Sequence, residues 1–250
     1  MRGPCAAVRK FLAIRRRAPS IFTAQHMNLL AIDTAAQFCA VCVHDGAAGV
    51  ERGRSVRDIG KGHAEQLMEV IDEALAAGGV AYADIGGVAV SVGPGSFTGI
   101  RVGVAAARGL ALGLGIPSAG VTTLEALALA ARDLFPDRPV VAALDAKRDE
   151  IYVAAFAADG TEHAAPRIAS LAEVVAMAGP GTVLCGTAVP LIEAATGQRF
   201  DTGPVAATAD ISAYARIVAR RGFTQDRPRP LYLRGADAKP QTGFALPRKG

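Results

Sequence analysis

Ser91-Val-Gly-Pro-Gly-Ser-Phe-Thr-Gly-Ile-Arg101-Val-Gly103 joins an apolar run to a helix-forming tract through Gly93, Gly95 and Gly99. A helix starting around Phe97 or Thr98 aims free N–H groups and its positive dipole end at whatever sits above the loop. Ser96 and Thr98 add hydroxyls, and Arg101 adds a charge one turn in. A phosphate or carboxylate suits that chemistry. The spacing G-x-G-x-x-x-G is not the dinucleotide fingerprint, and no Lys-Ser/Thr follows as a P-loop requires. Pro94 and Thr98 flank Ser96, which excludes a nucleophile elbow. A tight strand-to-helix turn without ligand is the competing reading.

Asp33-Thr34 closes another apolar run, where an α/β protein presents ligand groups. An Asp there could orient a metal-bound or activated water, or simply cap the turn. Asp145 and the run Lys147-Arg148-Asp149-Glu150 stand at a comparable later point, where a solvated turn accounts for them. His26, His44, His63 and His163 are scattered, and the residue one turn after His63 is Leu67. Two histidines on one helix face are therefore not available to chelate a metal. The sequence assigns no catalytic residue and no metal ligand. Cys39-Ala-Val-Cys42 spells CxxC, but the tract reads as strand, whose positions three apart face opposite ways. Four cysteines in 250 residues are too few for a disulfide framework, which points to a reducing, cytoplasmic setting.

Gly99, Gly103, Ala107 and Ala111 recur every four residues and leave one helix face almost bare. Glycine costs a helix up to about 1 kcal/mol relative to alanine, so the stripe calls for a closely packed neighbour. That neighbour is either internal or a second subunit, and the helix opened by His63 is its natural companion.

The elements that must position these residues follow from periodicity. Met27–Thr34 and Phe38–His44 read as strands, and Asp45-Gly46 as a hairpin turn into a third, Ala47–Arg52. A polar link, Gly53–Gly62, leads to a helix over about His63–Ala77 with Leu67, Met68, Ile71 and Leu75 in 3.6-residue phase. Strand Ile85–Val92, the glycine loop, a helix to about Leu114, a strand near Ser118–Val121 and a helix capped by Thr122-x-x-Glu125 complete the first half. The pattern then partly restarts. Val140–Leu144 and Ile151–Ala157 pair around the turn Asp145–Glu150, and Ser170-x-x-Glu173 caps a short helix. Thr182–Cys185 is a strand, Ala188–Thr196 a helix, and Ile211, Tyr214, Ala215 and Val218 mark a last helix ending at Gly222. The expected fold is α/β, with a mixed sheet and helices in each half. The division is expected at an N-terminal lobe of residues 27–134 and a C-terminal lobe of 135–235, with a basic tail over 236–250.

Hydrophobic residues are 51% of the chain and mean hydropathy is +0.28, which excludes global disorder. The longest charge-free run, Val174 to Ile192, is broken by glycine and proline, so no tract reads as a membrane span and a soluble globular protein is expected. The net charge of +4 sits at the ends. Residues 1–26 hold six basic residues and no acid, and from Arg216 onward nine basic residues face only Asp226 and Asp237. The leader lacks an apolar h-region beyond Phe11–Ile14. It suits a transit peptide, or a start codon set too early with Met27 as the first residue, and is expected to be disordered or untranslated. The basic tail is a solvated segment or an approach to nucleic-acid phosphates.

LLAIDTA, GHAEQL, SVGPGSFTGIRVGVAAARGLALG, GVTTLEALA, ALDAKRDEIYVAAF and PLYLR, in that order over about residues 27–235, resemble the TsaB family of bacterial tRNA threonylcarbamoyladenosine biosynthesis proteins. The resemblance implies a two-lobed actin-like/sugar-kinase ATPase fold. It implies a non-catalytic accessory subunit for N6-threonylcarbamoylation of adenosine 37 in tRNAs reading ANN codons. The implied partners are the catalytic subunit TsaD, in a heterodimer, and TsaE; tRNA is met through the complex, a homodimer is a second use of the same face, and no membrane is involved. No cofactor of its own is implied; ATP or ADP and a metal belong to the assembled complex. The related catalytic subunit carries His-x-x-x-His, whereas the matching helix here reads His63-Ala-Glu-Gln-Leu67, and Asp33-Thr-Ala-Ala lacks the glycine that would admit a nucleotide phosphate.

The partner-facing residues expected on this basis are His63, Leu67, Ile71, Gly99, Gly103, Ala107 and Ala111. Asp33, Thr34, Gly93, Gly95, Ser96, Thr98, Gly99 and Arg101 are the candidates for an anion or nucleotide. A phosphotransferase or nucleotide hydrolase using Asp33 and the glycine loop is the enzyme-class alternative, and a peptidase is a third.

Overall fold

A computed structural model describes residues 27–234; the leader over 1–26 and the tail over 236–250 lie outside the described residues. Strands β1 (Asn28–Asp33), β2 (Phe38–Asp45), β3 (Val50–Asp58), β4 (Ile85–Gly93) and β5 (Ser118–Thr122) form one sheet in the order β3-β2-β1-β4-β5. The first three are antiparallel neighbours, and β4 and β5 add in parallel. Strands β6 (Val140–Asp145), β7 (Glu150–Phe156), β8 (Glu162–Ser170) and β9 (Val183–Cys185) form a second sheet in the order β8-β7-β6-β9. Its connectivity repeats the first: an antiparallel meander, then a parallel strand after a helix. A single parallel bridge, Leu184 to Thr202, stands where a fifth strand would follow. The partial restart in the sequence is thus a duplicated topology.

Helices α1 (His63–Gly78) and α2 (Phe97–Leu114) cover the outer face of the first sheet. Helices α4 (Leu171–Met177) and α5 (Val189–Thr196) cover the outer face of the second. Between the sheets lie α3 (Thr123–Leu134) and α6 (Ile211–Arg221). The two-residue period of β1 serves both sides: Leu30 and Ile32 pack under α1 and α2, while Leu29 and Ala31 face α3 and α6. Cys39 and Cys42 divide the same way, both as buried free thiols, and burial pushes Cys39 up to about 11.

Three expectations change. The tract after Arg52 is not a link, because β3 runs on to Asp58; its alternation of exposed and half-buried positions is that of an edge strand with one covered face. Strand β8 was not expected, since Pro166 and the absence of an apolar alternation hide an edge strand. The lobe of residues 135–235 is not self-contained either. Helix α6 lies against β1 and β2, because the inner face of the first sheet needs the apolar stripe Ile211, Tyr214, Ala215 and Val218. By length and composition α2 could cross a membrane, at a mean hydropathy of 1.3, but one face of it is laid on β4.

Candidate functional site

The glycine loop and the end of β1 meet, and they meet each other. Asp33 is 2% exposed, and its Oδ1 accepts from the Ala35 N–H at 2.9 Å. The Ala35 carbonyl accepts from the Ser96 N–H at 2.6 Å, and Thr34 Oγ1 donates to the Gly99 carbonyl at 2.7 Å. Ser96 is the N-cap of α2, its Oγ accepting from the Gly99 N–H at 3.2 Å. A Cβ on Gly95 would collide with the Ala35 carbonyl, and one on Gly99 with the Thr34 carbonyl. These glycines therefore serve a close approach of two backbone segments.

Behind them is a sealed polar node. Ser91 and Thr123 are buried with their hydroxyls 3.4 Å apart, and the Tyr214 hydroxyl is buried without a hydrogen bond in range. Burial raises the Asp33 carboxyl above its ordinary range, opposed chiefly by the bond from Ala35, and raises the Tyr214 phenol well above its own.

This corrects the anion-cradle expectation for Asp33, Thr34, Gly93 and Gly99, which are buried. These residues are brought together as expected, but the Asp33 carboxylate, the Thr34 hydroxyl and the Gly99 carbonyl bond within the chain, while Gly95 and Ser96 stand at the exposed rim of the loop. A nucleotide phosphate with its metal does not fit at Asp33, because the carboxylate that would face it is buried beneath the turn of residues 34 and 35. Thr98 is exposed beside the loop. Arg101 is engaged elsewhere, its guanidinium carbon 3.5 Å from the Phe97 ring centroid and its Nε donating to the Tyr232 hydroxyl at 2.7 Å. Asp145, at the matching place in the second sheet, accepts from the Lys147 N–H and is paired with its ammonium at 2.6 Å. That holds its carboxyl below the usual range.

The partner-facing set is corrected as well. His63, Leu67, Ile71, Gly99, Gly103, Ala107 and Ala111 are all buried. His63 Nε2 lies 3.2 Å from the Phe38 carbonyl, and a Cβ on Gly103 would meet Thr34, Val90 and Ile32. The stripe is bare so that α2 can lie flat on β1 and β4. A second series was missed. Ala105, Gly109 and Gly113 also recur every four residues, are exposed, and have open space where a Cβ of Gly109 or Gly113 would stand. Leu112, 80% exposed, and Arg108 flank them, with Met68 of α1 49% exposed. The distinguishing signal is in the neighbours: Ile100 and Val104 follow the inner stripe, whereas Arg101, Arg108 and Leu112 mark the outer one.

A groove of about 830 Å³ between α3, α6 and the β7–β8 turn also escaped the sequence reading. Its charges are largely matched internally: Arg221 binds Glu125 at 2.9 Å, and Arg132 donates to the Ala158 carbonyl at 3.1 Å. Glu125 is raised by burial despite that arginine.

Two sheets of the same meander-plus-crossover topology, enclosing a shared helix pair, define the actin-like/sugar-kinase ATPase class of fold. Residues 57–213 match the family model described as TsaD, tRNA N6-adenosine threonylcarbamoyltransferase. The chain belongs to this family. It is 37% identical over 134 residues to the tRNA threonylcarbamoyladenosine biosynthesis protein TsaB of Escherichia coli, covering 53% of this chain and 56% of that protein. The chain thus spans about half the length of the TsaB relatives it matches. It is 34% identical over 221 residues to an uncharacterized protein of Mycobacterium tuberculosis, covering 86% of this chain and 96% of that one. A crystal structure from Pseudomonas aeruginosa, of an uncharacterized protein with similarity to peptidase YEAZ, superposes with a TM-score of 0.69 at 27% identity. It covers 83% of this chain and all of that one.

Proposed function

We propose that the chain is a non-catalytic accessory subunit, acting in the cytoplasm in N6-threonylcarbamoylation of adenosine 37 of tRNAs that read ANN codons. It binds and organises a TsaD-type catalytic subunit, together with TsaE. One observation carries the reading: α2 is apolar on average, yet its outer face, with Ala105, Gly109, Leu112 and Gly113, is uncovered among the described residues. Small residues at four-residue spacing let a partner helix approach backbone to backbone, and an 80%-exposed leucine beside them gains by being covered. The burial of Asp33 supports an organising role over a nucleotide-hydrolysing one, since a buried carboxylate bonded to the Ala35 N–H is withheld from a phosphate or its water.

The test is reconstitution of the tRNA modification with Gly109→Leu and Gly113→Leu. Loss of TsaD binding and of modification, with unchanged thermal unfolding of the free chain, is the expected result. Full binding and modification by both variants would reject the surface. Nucleotide turnover by the purified chain alone would reject the accessory role.

A further inference from the structure

The segment after α6 joins the two sheets by a route that no element of either sheet requires. Phe223 packs at Gly87 of β4, and Pro228 at Gly120 of β5. The Leu231 N–H then donates to the Val92 carbonyl at 2.8 Å, and the Tyr232 hydroxyl accepts from Arg101 Nε at 2.7 Å. Two residues further on, the chain has reached the other sheet. Arg234 Nε donates to Glu150 Oε2 at 3.0 Å, and its Nη2 to the Ala146 carbonyl at 3.2 Å. Four residues thus hold the ends of β4 and α2 on one side and the β6–β7 turn on the other.

The turn where the segment lands is unusual. Lys147, Arg148 and Asp149 are three successive non-glycine residues in the left-handed region, at φ 62°, 58° and 60°. L-residues avoid that region singly, and a run of three persists only where surrounding contacts over-determine it. Asp145 supplies one such contact by accepting from the Lys147 N–H at 2.8 Å, and Glu150 is a terminus of the turn that Arg234 grips.

We propose that residues 231–234 form an interlobe latch, fixing the angle between the two sheets and holding the β6–β7 turn in its left-handed form. The grip on the first lobe includes Arg101, which shares its guanidinium between Phe97, 58% exposed, and Tyr232, 54% exposed. Whatever covers the start of α2 competes for that guanidinium, so docking on α2 and the state of the turn are coupled. This coupling clause rests on the accessory-subunit reading; the latch itself does not.

Hydrogen exchange of the full chain, read by peptide, tests both. Arg234→Ala is expected to speed exchange over residues 145–150 at least tenfold, leaving β1 and α3 unchanged. Tyr232→Ala is expected to speed the same turn, which it does not touch; an isolated Arg234–Glu150 ion pair predicts no such effect. The charge exchange Glu150→Arg with Arg234→Glu is expected to restore protection. The latch is overturned if Tyr232→Ala acts only on its own peptide, or if Arg234→Ala loosens β1 and α3 equally. Adding a TsaD-type partner to the wild-type chain is expected to speed exchange over 145–150. Binding without that change overturns the coupling alone, and absence of binding overturns the accessory reading while the latch stands.

Discussion

Along α2, Gly99, Gly103, Ala107 and Ala111 are pressed against β1 and β4, whereas Ala105, Gly109 and Gly113, two residues out of phase, stand open. Two residues on a helix are about 200° of rotation, so the series occupy opposite faces. Both have the spacing that invites close approach, and only one is free to accept a partner. Small residues at four-residue intervals show that a backbone can be approached. They do not show by what. The answer comes from the residues between them: apolar β-branched side chains turn the inner stripe to the core, and charges turn the outer one to solvent.

The comparison breaks most sharply under equal bulk on the two faces. Gly103→Leu must displace Thr34, Val90 and Ile32, and a loss on the order of 3 kcal/mol is expected in urea unfolding of the free chain. Gly109→Leu meets open space and should leave the same transition within about 0.5 kcal/mol, or raise it. Equal losses at the two positions would mean that the outer face is not open. Next in size is Thr34→Val, which removes the hydroxyl donated to the Gly99 carbonyl inside the lobe. Loss of one buried hydrogen bond predicts about 1 kcal/mol. An unchanged unfolding midpoint would show that the loop does not need this tie.

Much of this arrangement was legible from residues alone. The sheet elements of both halves, the caps Thr122 and Ser170, and the opposite faces of Cys39 and Cys42 follow from periodicity and local side-chain chemistry. Local rules failed where a long-range partner decides. Strand β8 and the far half of β3 are edge strands without a clear apolar alternation, which a neighbouring strand stabilises and a sequence window does not. The site failed for a related reason. Gly-x-Gly near a helix start describes a backbone that something approaches, and the approaching group proved to be the turn at Thr34 and Ala35. Sequence proximity cannot rank a turn some sixty residues away against a phosphate.

A smaller effect separates the faces with a single methyl group. Gly109→Ala replaces the poorest non-proline helix former by the best, on a face where nothing is touched, and should stabilise the free chain by up to about 1 kcal/mol. The same change at Gly99 drives a Cβ into the Thr34 carbonyl and should destabilise. Thermal unfolding of the pair reads the sign directly. Stabilisation at both positions would erase the distinction between inner and outer face.

The finest expected effect is a change of slope and concerns Asp33, on the sealed side. Burial raises its carboxyl in the folded chain above the ordinary 3.8, so the folded state holds the proton more tightly than the unfolded state does. The stability this contributes is fully present below 3.8 and is lost as pH rises through the folded-state value. In Asp33→Asn the amide oxygen can still accept from the Ala35 N–H, and nothing ionises. The variant should therefore match the wild type most closely near pH 3 to 4 and gain on it as pH rises toward 7. Urea unfolding across that range provides the measurement. Parallel curves would mean that Asp33 is solvated in the folded chain, and a widening deficit of the variant would mean that an unseen cation holds the carboxylate ionised. Either result would reopen the inner face as a ligand site and weaken the contrast with the outer one.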